Sequence, residues 1–331
     1  MMQRIYEVLG ILRWNTSCAA VRTTRLTTIC TTVAFALSVP SLNAQVYGVK
    51  GWDGAPNRTP QWTLFRFTED GTNFTVIGQL RIDNQPVQID GLAISTQTGL
   101  LGFQISSTDP YVGTGRSRLV KINPLNASIT PVGDWFSGVV RAADFDVTGR
   151  LWALDAQTDS LLQIDPNSGL VLSSTVITPT VDITYLSGLV FTAEGPAYLS
   201  QFNQNQNQTD FYIIDPNTAQ VALVLSDNVS EPDCVGPRPL RLVDLESSPN
   251  RPGNIFGLEV HGCDDIFIVG GSFGRSVLYQ NIIPSYNGGP GDLAALLSCS
   301  QCPADVNRDG IIDDGDLLII LLNFGSECFE R

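Results

Sequence analysis

The segment DFDVTGRLWALD (Asp144 to Asp155), followed six residues on by LLQIDPNSGLVLSS (Leu161 to Ser174), decides the fold. Each half reads strand, tight turn, strand. Apolar and β-branched residues flank a V-T-G-R turn in the first half and a D-P-N-S-G turn in the second. Working outward, the second half recurs as LVKINPLNASITPVG (Leu119 to Gly133) and FYIIDPNTAQVALVL (Phe211 to Leu225), and in outline as LFRFTEDGTNFTVIG (Leu64 to Gly78). Its turns begin at Asn123, Asp165 and Asp215, spacings of 42 and 50 residues. The first half alternates with it, as GLAISTQTGLLGFQI (Gly91 to Ile105), GLVFTAEGPAYLSQ (Gly188 to Gln201) and DLESSPNRPGNIFGLEV (Asp244 to Val260). The chain therefore delivers four short strands per period of roughly 40 to 50 residues, the length of one blade in a radial β repeat.

One four-stranded sheet cannot bury both of its faces. Sheets stacked around an axis cover one another and leave only short edges exposed. The expectation is an all-β fold, a β-propeller of about five blades: a partial first blade over Val46 to Leu80, three over Val87 to Asp227, and a last over Leu240 to Ile283. Six blades or an irregular ring also satisfy the spacing, whereas a pair of β-sandwiches does not explain the period. The first blade lacks an obvious innermost strand. The pairing of D-F-D-x-x-G-x-L-W-A-L with L-x-x-I-D-P-x-S-G resembles the repeats of secreted bacterial propellers of the NHL and quinoprotein-like type. That resemblance implies a scaffold and identifies no ligand.

The ends read differently. Residues 1–44 have the form of a signal peptide: Arg4, Arg13, Arg22 and Arg25 precede the apolar run Ile29 to Val39, and Ala44 stands before a cut at Gln45. Eleven apolar residues are too few to cross a bilayer, which takes about 20. The expected address is secreted, extracellular or periplasmic, with no membrane span after cleavage. Residues 45–283 are assigned to the propeller. Residues 284–298, opening PSYNGGPGD, are assigned to a linker, and residues 299–331 to a separate small module with α character.

The full chain carries a net charge of −14, and without its leader 15 basic and 32 acidic residues remain, a net of −17. Such a surface repels nucleic acid. Cys234, Cys263, Cys299, Cys302 and Cys328 lie beyond the leader. Export favours disulfides, with Cys234–Cys263 one pair and Cys328 joined to Cys302 or Cys299 another. Zinc at Cys299-x-x-Cys302 lacks a second ligand pair.

The strongest chemical motif is Asp305-Val-Asn307-Arg-Asp309-Gly310-Ile311-Ile-Asp313-Asp314-Gly315-Asp316. It matches a twelve-residue EF-hand-type loop. Calcium takes six to eight oxygens, here from Asp305, Asn307, Asp309, the Ile311 carbonyl, Asp313 and Asp316, and Gly310 permits the turn. The spacing and the following Leu317 to Leu322 helix are similar to one dockerin repeat. Dockerins that grip a cohesin carry two repeats and this chain shows one, so the resemblance does not extend to cohesin binding.

Within the propeller, Arg141-Ala-Ala-Asp144-Phe-Asp146 and Arg241-Leu-Val-Asp244-Leu-Glu246 share R-x-x-D-[FL]-[DE] two blades apart. This pattern reads either as a polar axial site or as repeat echoes that pair Arg with Asp between blades; the echo is favoured. Asp90, Ala142, Ser187 and Leu242 stand at one inner level, a mixed set. His261 is the sole histidine and no G-x-S-x-G occurs, so the reading assigns no catalytic residue. Trp152 reads as core; Trp52 and Trp62 read as surface candidates for stacking on sugars. The N-x-[ST] sequons at Asn57, Asn73, Asn126, Asn207 and Asn228 matter only in a glycosylating pathway. The expected function is extracellular binding or presentation, with an unknown protein or polysaccharide as partner. The alternative is a propeller hydrolase or other carbohydrate-active enzyme attached through the tail.

Overall fold

The structure, a computed structural model, describes residues 45–51, 62–69, 73–106, 114–193, 196–227, 230–231, 238–239, 241–248, 255–259, 266–269, 275–279 and 291–295. The leader, all five later cysteines, Trp52, His261, Asn57, Asn228 and the loop Asp305 to Asp316 lie outside them.

The described residues form an all-β propeller-type arrangement. Every sheet of four or more strands is antiparallel, and four of the five are built in chain order from the inside outward. The second sheet runs Ile89–Ser95, Gly99–Ile105, Arg116–Ile122 and then Phe136–Ser137, with Ile129–Pro131 also paired to the third of these. The third sheet is Val140–Phe145, Leu151–Asp155, Ser160–Ile164 and Val171–Val176. The fourth is Ser187–Phe191, Ala197–Asn203, Gln208–Asp215 and Gln220–Asp227. The fifth is Leu242–Ser247, Ile255–Glu259, Ile266–Val269 and Arg275–Tyr279.

The first sheet departs from chain order. Its inner strand is Gly291–Ala295, which pairs antiparallel with Gln45–Lys50, followed by Thr63–Thr68 and Phe74–Gln79. Residues 291–295, expected within the linker 284–298, are thus a strand of the first sheet. The physical reason is burial: Leu293, Ala294 and Ala295 are each at most 1% exposed, and the open edge of Gln45–Lys50 needs a ladder partner. The five inner strands then contact one another in a cycle, each against the next, with Gly291–Ala295 between Leu242–Ser247 and Ile89–Ser95.

Hydrophobic clusters fill the spaces between successive sheets. Trp62, Leu64, Ile89 and Val120 pack the first against the second, and Phe103, Leu119, Val140 and Leu162 the second against the third. Trp152, Leu161, Leu189 and Leu199 join the third to the fourth, and Val190, Phe211, Leu242 and Leu245 the fourth to the fifth. Phe65, Phe67, Phe256 and Leu258 join the fifth to the first. Trp62 is 1% exposed, so the expectation of a surface aromatic is corrected. The residue immediately precedes the strand Thr63–Thr68 and packs with Leu64 in the core between the first and second sheets.

The repeat turns use their side chains as read. Asp165 accepts from the Asn167 amide at 3.0 Å and the Ser168 hydroxyl at 2.5 Å, and Gly169 closes the turn at φ 71°. The sister turns at Asn123 and Asp215 place Ala127 and Ala219 at φ 59° and 53° in the same role.

Candidate functional site

The axial strands carry most of the buried charge. Arg141 begins the inner strand of the third sheet, and its Nη1 lies 2.8 Å from Asp90 Oδ2 on the second. Gln88 Nε2 also donates to that oxygen at 3.2 Å. Burial pushes the Asp90 carboxyl above its ordinary value against the opposing pull of Arg141. The guanidinium of Arg241 lies 4.5 Å over the Phe202 ring. Tyr185, half-buried just before the fourth inner strand, is raised by burial, while Arg241 and Arg141 both pull it down. Arg141 therefore makes an inter-sheet ion pair with Asp90, whereas the Arg241 guanidinium stacks on Phe202.

Deeper along the axis, four buried carboxyl groups hold neighbouring inner strands by their amides. Asp144 accepts from Phe191 N of the next strand at 2.7 Å and from Phe145 N at 2.7 Å. Asp244 accepts from Leu293 N at 2.8 Å on one side and from Leu189 N at 3.4 Å on the other. Glu246 accepts from Ala295 N at 2.8 Å and Ser247 N at 2.6 Å. Asp292 accepts from Leu293 N at 2.9 Å and, by a short contact, from Leu92 N. The bonds to Phe191, Leu293 and Leu189, Ala295 and Leu92 cross gaps where no ladder runs, so the carboxyls act as staples between inner strands.

Burial raises all four carboxyls. Asp244 is pushed up to about 7, with bonds from Asp292 and the backbone opposing the rise. Asp144 is raised by burial and further by the charges on Asp244 and Asp146, and Glu246 by burial and by the charges on Asp144 and Asp244. Asp292 is raised by burial, by the charge on Asp244 and by the hydrogen bond between the two carboxyls. Among the described residues, no three His, Cys, Asp or Glu side chains stand together as a metal-binding group.

Asp146 and Glu246, equivalent in the sequence pattern, diverge. Partial burial opposes ionisation of Asp146, but donors outweigh it and hold the carboxyl low. Those donors include the Thr148 hydroxyl at 2.7 Å, Trp152 Nε1 at 3.0 Å and Arg150 Nε at 2.6 Å. Asp146 is thus the knot of its hairpin turn, and Trp152 is core, as read.

Asp144 and Asp244, singled out by their shared pattern, do come to the axis; Arg141 and Arg241 lie toward the starts of the same strands. Asp292 and the axial role of Glu246 escaped sequence reasoning. The missed signal is the dipeptide Asp292-Leu293, which repeats Asp144-Phe145 and Asp244-Leu245.

Fold and axial geometry together define an all-β propeller-type protein. No protein-family model matches the sequence, and no curated protein matches it. Among solved structures, a chain of a nidogen/laminin complex is similar at TM-score 0.46 and 11% identity, over 78% of this chain and all of that one. An aldose sugar dehydrogenase from Streptomyces coelicolor is similar at TM-score 0.41 and 11% identity, over 69% of this chain and 80% of that one. A virginiamycin B lyase from Staphylococcus aureus is similar at TM-score 0.36 and 11% identity, over 70% and 83%. At this identity the likeness concerns the fold alone.

Proposed function

We propose that the chain is an exported binding or presentation protein: a five-bladed propeller closed by Gly291–Ala295, carrying a calcium-binding loop–helix tail as its attachment element. One observation carries the reading. The axial carboxyls that a propeller enzyme could use for acid–base chemistry accept backbone amides of adjacent inner strands, which commits them to holding the ring. The platform is then rigid at its centre and free to bind at its rim. In the tail, Asp305, Asn307, Asp309, the Ile311 carbonyl, Asp313 and Asp316 would supply calcium's oxygens.

A second reading, a propeller hydrolase attached through the same tail, draws on Asp244. A buried carboxyl raised to about 7 beside a second raised carboxyl is suited to proton transfer.

The test uses the full secreted protein. Calcium should raise its melting temperature, and Asp305→Ala should abolish that response. No heat of binding at millimolar calcium removes the tail assignment. The Asp144→Asn/Asp244→Asn pair and His261→Ala are then assayed on lactone and glycoside panels. A turnover abolished by either, with folding and calcium response intact, replaces the binding reading by the enzyme.

A further inference from the structure

Arginine stacks on aromatic rings at three places among the described residues, and one differs in kind. Arg150 lies 5.2 Å over Trp152, with its charge met at 2.6 Å by Asp146. Arg241 covers Phe202 beside the axis. Trp135 carries two arginines, Arg118 at 4.7 Å and Arg116 at 5.8 Å from its ring centre.

The strand period explains the double stack. Arg116 and Arg118 alternate with Ser117, which is buried and donates to the Gly138 carbonyl at 2.9 Å, so both arginines leave the opposite face. Arg118 Nε donates to Gln104 Oε1 at 2.7 Å, a neutral acceptor that orients the guanidinium without cancelling its charge. Neither arginine makes an ion pair among the described residues. Asp134 adjoins Trp135 in sequence and is exposed, yet pairs with neither. In a chain with 33 acidic side chains, two adjacent unneutralised guanidiniums on one ring stand out from the acidic background. One arginine suffices to shield an indole. The second adds like-charge repulsion that an anion between the two would relieve.

We propose that Arg116 and Arg118, held on Trp135 at the rim of the second sheet, form a clamp for the sulfate or carboxylate groups of an acidic polysaccharide. Guanidinium forks match the planar or tetrahedral oxygens of such groups. Trp135, half-buried, fixes their spacing before the ligand arrives, which lowers the ordering cost of binding. A net charge of −14 opposes diffuse adhesion of a polyanion, so binding must be local. The inference deepens the binding reading above by naming a site and a ligand class. Its failure is separable, because the calcium response of the tail does not involve these residues.

The experiment measures binding of the full-length protein to dextran sulfate, polygalacturonate and neutral dextran at 0.15 M NaCl. Expected is saturable binding to one or both acidic polymers and none to neutral dextran. Arg116→Gln/Arg118→Gln should weaken binding at least tenfold, and Arg150→Gln should leave it within twofold. Arg81→Gln/Lys121→Gln removes the same charge elsewhere and should also leave it within twofold. If the double variant loses its circular-dichroism signature, Arg116→Glu, at an exposed position, takes its place and should weaken binding at least tenfold. Equal weakening by the Arg81/Lys121 pair would mean long-range electrostatics and overturn the site. So would unaltered binding by the clamp variant, binding of inorganic sulfate with no polymer bound, or no binding to either acidic polymer.

Discussion

Replacing Asp244 by Asn isolates the energetic role of the axial carboxyls. Folding takes this carboxyl from its ordinary value of 3.8 to about 7. A carboxyl raised on folding binds its proton more tightly in the native chain than in the unfolded one. Its contribution is therefore fully present below about pH 4 and is lost as pH rises through about 7. At 1.36 kcal/mol per pH unit of displacement, the native state gives up about 4 kcal/mol over that window from this residue. Asn keeps an acceptor for the Leu293 amide at 2.8 Å and loses the weaker one for Leu189 at 3.4 Å, a cost of about 1 kcal/mol. At pH 5 the wild type has already given up between about 1 and 2 kcal/mol of that contribution, which offsets the variant's cost, so the two proteins should differ by less than about 1 kcal/mol. At pH 8 the variant should be more stable by about 3 kcal/mol, the ionisation penalty of about 4 kcal/mol less the lost hydrogen bond. Asp144, Glu246 and Asp292 shift in the same direction and leave a residual slope in both proteins. Urea unfolding, followed by tryptophan fluorescence from pH 5 to 9 with calcium held constant, reads the difference. Parallel stability curves for the two proteins would refute the reasoning, since Asp244 would then titrate alike in both states.

Three further outcomes follow from the packing. Gly188→Ala sets a Cβ 2.6 Å from Asp244 Cα and Leu245 N on the adjoining inner strand; it should cost about 2 kcal/mol by forcing the fourth and fifth sheets apart, measured as a lower urea midpoint at pH 5. Gly169→Ala meets both φ 71° and contacts of 3.1 Å to Gly133 Cα and Leu119 Cβ; a loss of about 1–2 kcal/mol is expected, and an unchanged midpoint would remove the strained-turn account. Ending the chain at residue 298 should preserve cooperative unfolding, whereas ending it at residue 290 removes the strand paired to Gln45–Lys50 and should abolish it; equal stability of the two truncations would show that Gly291–Ala295 does not close the ring.

The all-β class, the four-strand period and the chemistry of the turns were legible in the residues alone. These rest on local rules: alternation along a strand, Asp and Asn side chains bonding to amides two residues on, and a residue able to hold positive φ at the end of the turn. Trp152 was legible as core because it sits in a repeated position with its neighbours in register. Tertiary structure alone decided what joins distant segments. Gly291–Ala295 stands next to a Gly- and Pro-rich stretch and looks like the end of a linker; its partner, Gln45–Lys50, lies more than 240 residues earlier, and nothing local encodes their ladder. With that strand went Asp292 and the recognition that Glu246 reaches Ala295. The partner of Arg141 was equally hidden, because the curvature of the ring, not the repeat, brings Asp90 beside it. Trp62 and Trp135 make the same point in opposite directions. Both are aromatic residues near loops, yet one is sealed between two sheets and the other holds two unneutralised arginines at a rim. Exposure is a property of neighbours across the fold, and those neighbours are assigned only when the ring closes.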